Sequence, residues 1–108
     1  MDFAAKKICL GRFLNAGQVC ISPDYVLVHS SKVEKLTNAL SKYIKEFWDE
    51  GKNLADMGRV VNEFHHNRLC DLLKDQKAAI IIGNSNAFEE RTLTPTVVLN
   101  PNKDSPLM

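Results

Sequence analysis

Apolar residues recur along this chain in two periods, one helical and one strand-like. Behind Ser31, the residues Val33, Leu36, Leu40, Tyr43, Ile44 and Phe47 return every three or four positions, the spacing of one helix face. Ser31 with Glu34 three residues on forms a capping-box pattern, so this helix is predicted to start there, run to about Trp48 and stop at Gly51. Residues 2–15 form a weaker helical pattern, with Phe3, Leu10, Phe13 and Leu14 roughly on one face and Asp2 near the positive N-terminal end. Asn62 suits the N-cap of a third helix whose apolar positions are Phe64, Leu69, Leu72 and Leu73.

Between the first two helices, and again after the third, lie short, nearly continuous apolar runs. Residues 25–29, 79–82 and 96–99 read as buried strands, because buried parallel strands lack the alternation of surface strands. Asn15-Ala16-Gly17 breaks the first helix, and Gly17 suits a positive φ or a close backbone approach. Pro23-Asp24 is turn chemistry. Residues 84–91 form a polar connection, and residues 100–108 are expected to lack structure of their own. Strands separated by helical patterns predict an α/β arrangement, a partial parallel sheet with flanking helices. Three strands and three helices fall short of a complete doubly wound domain, so a segment of a larger domain is expected. There is no internal repeat and no low-complexity tract.

Composition narrows the function classes. Hydrophobic residues make up 44% of the 108 and charged residues 25%, a globular mixture able to bury roughly two-thirds of its unfolded surface. Fourteen basic and thirteen acidic residues are interspersed, for a net charge of +1, with no basic stripe or aromatic platform for nucleic acid. No apolar run approaches the length of about 18 residues that a membrane helix needs. Cys9, Cys20 and Cys70 are odd in number and lack CxxC spacing, which argues for reduced thiols and a cytoplasmic setting. The start of the chain, charged and amphipathic, does not read as a signal peptide.

Phe13-Leu14-Asn15-Ala16-Gly17-Gln18-Val19-Cys20 resembles the active-site cysteine segment of the aldehyde dehydrogenase family, whose Gly-Gln-x-Cys run carries the nucleophile. The continuation through Pro23-Asp24-Tyr25 is similar to the class 3 branch, which acts on fatty and aromatic aldehydes. Gly58-Arg59-Val60-Val61-Asn62 with His65 and Arg68-Leu69 resembles that branch's next segment. So do Thr94-Pro95-Thr96-Val97-Val98-Leu99 and Asp104-Ser105-Pro106-Leu107-Met108 further on. Four segments in order make a far more specific signal than Gly-Gln-x-Cys alone. The resemblance implies that residues 1–108 are a piece of the catalytic domain. The nucleotide-binding domain, the glutamate base and the asparagine oxyanion donor would then lie before it, and a cofactor-binding glutamate motif just after Met108.

The same resemblance implies a chemistry. Cys20 would be the nucleophile, adding its thiolate to the aldehyde carbonyl. The thiohemiacetal would pass hydride to NAD or NADP, and the thioester left behind would be hydrolysed. The backbone N–H of Cys20 would be one of the donors to the alkoxide, while small Ala16 and Gly17 keep the loop thin. The full-length family implies a homodimer and a small-molecule aldehyde substrate. This chain by itself is expected to be inactive, lacking base and cofactor site. The alternative is a non-catalytic interaction module that pairs with a full-length subunit.

Other reactive residue types carry plainer readings. Free cysteines are among the most buried residues, so Cys9 and Cys70 are assigned to packing. His65, His66 and Cys70 lack a second ligand pair at zinc spacing, and no metal is expected. Glu63, Glu89 and Glu90 read as solvated charges, and Asn15 as a loop residue.

Overall fold

The computed structural model describes residues 1–48, 57–74, 80–82 and 91–108. Three helices, α1 (Asp2–Phe13), α2 (Val33–Trp48) and α3 (Glu63–Lys74), precede two short strands, β1 (Ile80–Ile82) and β2 (Val97–Val98). Single 3-10 turns at Leu14–Gly17 and Ser30–Lys32 end α1 and lead into α2.

The core forms where α1 crosses α2. Ala5 and Cys9, four residues apart and so on one helix face, are both fully buried. They meet Leu36, Leu40, Tyr43 and Ile44 of α2, four of the six positions its spacing predicts, with Phe47 partly buried against the cluster and Trp48 and Met57 joining it. Phe13 closes one end, its ring 5.2 Å from that of Trp48 in an edge-to-face contact.

Of the face of α1 expected to pack, only Phe13 does. Phe3 is 75% exposed, and Leu10 and Leu14 also stand largely in solvent. Small side chains at 5 and 9 let α2 approach closely, and that approach decides which side of α1 is covered. Asp2 does occupy the first turn, where its carboxylate accepts hydrogen bonds from the Tyr43 hydroxyl and from Lys42 Nζ at 3.2 Å. The Tyr43 bond, and then Lys42, hold the Asp2 carboxyl below the usual range.

The start of α2 also differs from its sequence pattern. His29 is the capping residue in place of Ser31: its Nδ1 accepts the Ser31 N–H at 3.3 Å and lies 2.9 Å from Ser31 Oγ. The intervening 3-10 turn moves the cap two residues upstream and leaves Ser31 facing His29. The cap of α3 is as expected, with Asn62 Oδ1 accepting the His65 N–H at 2.9 Å. Its buried face, however, is His66 and Leu73, while Phe64 is exposed. His66 Nε2 donates to the Thr92 carbonyl at 3.1 Å, which compensates a buried imidazole.

The parallel sheet is corrected by the structure. The strand pair described is β1 with β2, and it is antiparallel, in register Ile80 with Val98 and Ile82 with Val97 around an irregularity. Residues 25–29 pair with no strand among the described residues, and Tyr25, Val26 and Leu27 are 65%, 43% and 89% exposed. An apolar run becomes a buried strand only when a sheet edge and covering helices are supplied, and the described residues supply neither here. The hydrogen-bonded turn forms at 19–22, ahead of Pro23-Asp24, and residues 100–108 carry successive turns of their own. Expectations for Gly51, Gly83 and most of the 84–91 connection lie outside the described residues. No helix among the described residues is long and apolar enough to cross a membrane.

Ile44 is 1% exposed at the centre of the cluster. Ile44→Ala is expected to cost about 3 kcal/mol in urea unfolding, the usual loss for a buried isoleucine. Asp2→Asn tests the N-terminal clamp. A depressed carboxyl stabilises the fold above its unfolded pKa of about 4 and loses that effect as pH falls through the lower folded value. The Tm of the variant should therefore lie below wild type at neutral pH and converge with it in strong acid. Parallel Tm curves across that window would refute the clamp.

Candidate active site

The turn that presents Cys20 is built on the last residues of α1. Beyond Phe13 the backbone turns back through three successive left-handed residues, Asn15 (φ 51°), Ala16 (φ 55°) and Gly17 (φ 75°). Asparagine and glycine adopt this region readily, whereas an alanine there costs about 1–2 kcal/mol. Gly17 is required twice over. Its φ is positive, and a Cβ would lie 3.1 Å from the Arg12 carbonyl oxygen, beside the Arg12 guanidinium. Gly17 thus lets Arg12 fold under the turn.

Arg12 holds the far side as well. Its Nη1 donates to the Pro23 carbonyl at 3.2 Å and lies 3.6 Å from the Asp24 carboxylate. Ser22 Oγ donates to the Gly11 carbonyl at 3.2 Å, one of the free carbonyls at the end of α1. Both feet of the loop therefore stand on one helix terminus.

Cys20 sits between them, in a turn closed by the Ser22 N–H donating to the Val19 carbonyl at 2.9 Å. Its side chain is exposed. Among the described residues its backbone N–H has no acceptor, so that donor is available to a bound group. The other two thiols have different surroundings. Cys9 is buried with its Sγ 3.9 Å from the Leu40 carbonyl, and burial pushes its thiol up to about 11. Cys70 is half-buried near His66, and its thiol is raised by burial and then by Asp71. A nucleophilic thiol must be reachable and ionisable near neutral pH. Position 20 is the reachable one.

The structure also defines what surrounds the turn. Gln18 bridges it to the segment 59–61, with Nε2 donating to the Arg59 carbonyl at 2.8 Å and Oε1 accepting the Val61 N–H at 2.8 Å. Asn15 is a loop-holding residue, as expected, its Nδ2 donating to the Gln18 carbonyl at 3.3 Å. Glu63 lies exposed in the first turn of α3, and Glu89 and Glu90 fall outside the described residues. An open groove of about 520 Å³ lies along α3, lined by Phe64, Asn67, Arg68, Asp71, Leu72 and Pro106, and shares no residue with the Cys20 turn.

Among the described residues, neither a general base nor a dinucleotide cradle is placed beside the Cys20 turn. Among the described residues no glycine-rich turn opens a helix behind a strand, the feature that cradles a pyrophosphate. The chain's own contribution is a supported, solvent-facing thiol and a free N–H beside it. Sequence reasoning placed Cys20 in a reachable loop, where it is exposed, and missed the supports at Arg12, Gln18 and Gly58. The Gly-Gln-x-Cys pattern held a partial signal for Gln18, whereas nothing local marked the others.

An exposed cysteine on a supported turn at the end of a helix is reachable enough to act as a nucleophile. The aldehyde dehydrogenase family model matches residues 1–108, and the chain belongs to that family. It is 42% identical over 108 residues to the 4,4'-diaponeurosporen-aldehyde dehydrogenase of Staphylococcus aureus, covering 97% of this chain and 23% of that protein. It is 36% identical to the dimeric NADP-preferring aldehyde dehydrogenase of Bos taurus, covering 100% of this chain and 45% of that one. Family 3 members, such as member A2 of Mus musculus at 34% identity, are among its relatives, in keeping with the class 3 resemblance. A solved structure of the substrate-bound state of Staphylococcus aureus AldH superimposes with a TM-score of 0.89 at 40% identity. The match covers 99% of this chain and 24% of that one. The local fold is thus that of the family, while the chain spans less than half the length of these relatives.

Site-resolved alkylation at pH 8 checks the thiol environments. Cys20 should label first and Cys70 more slowly. Cys9, only about a thousandth ionised at that pH, should stay unlabelled until urea is added. Labelling of Cys9 at the rate of Cys20 would contradict the packing.

Proposed function

We propose that Cys20 is the nucleophile of an NAD- or NADP-dependent oxidation of apolar aldehydes to carboxylic acids. The exposed thiol on a supported turn, at the cysteine of the family's Gly-Gln-x-Cys segment, carries this reading. The Cys20 thiolate adds to the carbonyl carbon, and the oxygen that gains the electron pair can accept the free Cys20 N–H. A nicotinamide cofactor, held by residues outside this arrangement, would supply the hydride acceptor that the oxidation needs. The acyl group is then left on Cys20 Sγ as a thioester, which water hydrolyses to carboxylate and thiol. The described residues fit the thiol's part of this sequence and do not fit the cofactor, so the proposal places cofactor binding and the proton-accepting base on other residues. A cytoplasmic location is favoured by three free thiols, and a homodimeric assembly by the dimeric relative.

A chimera tests the activity. Residues 1–108 would replace the matching segment of the Staphylococcus aureus 4,4'-diaponeurosporen-aldehyde dehydrogenase, with a medium-chain aldehyde and NAD or NADP as substrates. The chimera should form reduced cofactor, Cys20→Ser should lower the rate at least about a thousandfold, and the chain alone should be slower by orders of magnitude. A folded chimera whose activity survives Cys20→Ser would sink the proposal.

The uncovered run at Tyr25, Val26 and Leu27 favours a second reading, in which this chain associates with a full-length subunit without catalysing anything itself. Size-exclusion chromatography with a full-length relative should then give a mixed complex. A folded monomer that ignores the relative would dismiss pairing.

A further inference from the structure

Gln18 lies two residues before Cys20, and its side-chain amide makes three hydrogen bonds at the base of the turn. Nε2 donates to the Asn15 carbonyl at 3.0 Å and to the Arg59 carbonyl at 2.8 Å, while Oε1 accepts the Val61 N–H at 2.8 Å. Bonding a carbonyl and the N–H two residues further on is how one residue of a parallel neighbouring strand would behave, through its own N–H and carbonyl. The amide therefore joins the turn to residues 59–61 as a one-residue strand would.

That segment is a firm abutment. Val60 is 2% exposed, and its N–H donates to the Arg91 carbonyl at 2.9 Å. Arg91 Nη1 returns to the Val61 carbonyl at 2.8 Å and the Val60 carbonyl at 3.3 Å. Gly58 lets the two backbones touch: a Cβ there would lie 2.9 Å from the Asn15 carbonyl carbon and 3.0 Å from its Cα. No flexible side chain is available to give way at that contact, since the atoms are backbone.

We propose that Gln18 is a positioning residue for Cys20, its amide locking the thiol-bearing turn onto residues 59–61 so that Sγ and the Cys20 N–H keep one relation to an incoming carbonyl. The inference rests on the reading of Cys20 as the nucleophile. Its consequence is selective. Loss of the amide should impair addition to a carbonyl, which needs both groups aligned, and should hardly affect simple alkylation, which needs only an exposed thiolate.

The test uses this chain and an aryl trifluoromethyl ketone, whose thiohemiketal with Cys20 is read by fluorine NMR. A peptide spanning residues 15–24 sets the baseline for an unsupported thiol. In Gln18→Ala the exposed Val61 N–H, whose acceptor is Gln18 Oε1, should exchange at least about tenfold faster. The adduct should weaken about tenfold toward the peptide's value, while iodoacetamide labels Cys20 within about twofold of wild type. Cys9 remaining unlabelled shows that the variant is folded.

Gln18→Glu keeps the acceptor for Val61 but sets a carboxylate against two carbonyls. Its adduct should be weak at pH 8, relative to wild type, and recover as pH falls toward the carboxyl's pKa and an O–H donor returns. A role in folding alone would not produce that pH-dependent rescue, and should Gln18→Ala unfold, this ratio decides. Unchanged Val61 exchange in folded Gln18→Ala, or an unchanged adduct, overturns the positioning role and leaves Cys20's assignment intact. A wild-type adduct no stronger than the peptide's overturns the nucleophile reading, and this inference with it.

Discussion

The site depends first on how closely α1 approaches α2. Ala5 and Cys9 bury completely because they are small enough to let α2 pack closely, in one cluster with Leu36, Leu40 and Ile44. Close packing of this kind has few alternative arrangements, so the direction of α1 is set along its length. The end of α1 is where Gly11, Arg12 and Phe13 anchor the Cys20 loop. Phe13 is held by Trp48, and Arg12 and the Gly11 carbonyl hold Ser22, Pro23 and Asp24. A shift of the helix would move the whole Cys20 turn.

Above that anchor the structure trades backbone strain for exposure. Three residues in the left-handed region throw the chain away from the helix and leave Cys20 facing solvent. Such a turn is unfavourable by itself and persists because its surroundings over-determine it. Arg12 beneath Gly17, Gly58 against Asn15 and the Gln18 amide on residues 59–61 are those surroundings. The same neighbours that offset the strain also hold the turn that carries the exposed thiol.

The three thiols illustrate how environment assigns roles to one residue type. Cys9 sits in an apolar interface, where an ionised sulfur would lose its hydration, and is held as an inert thiol. Cys70 is intermediate, near a buried histidine whose ring is committed to the Thr92 carbonyl. Cys20 alone among them is presented to solvent, on a turn that belongs to the aldehyde dehydrogenase family.

Some features were legible in the residues themselves. The α2 stripe, the Asn62 cap, the need for a positive φ at Gly17 and the place of Cys20 each depend on near neighbours in the chain, whose spacing and chemistry are written locally. The buried face of α1, the His29 cap, the antiparallel pairing of Ile80–Ile82 with Val97–Val98 and the Gln18 bridge were decided by tertiary structure. Each depends on groups far apart in sequence: small residues in α1 against large ones in α2, or one amide reaching more than forty residues ahead to Arg59 and Val61. Residues 25–29 make the same point in reverse. Their apolar pattern specifies a strand's preference, but a strand forms only where another strand offers its N–H and carbonyl groups. Periodicity along a chain records what a segment would bury, and only the folded neighbours determine whether it is buried.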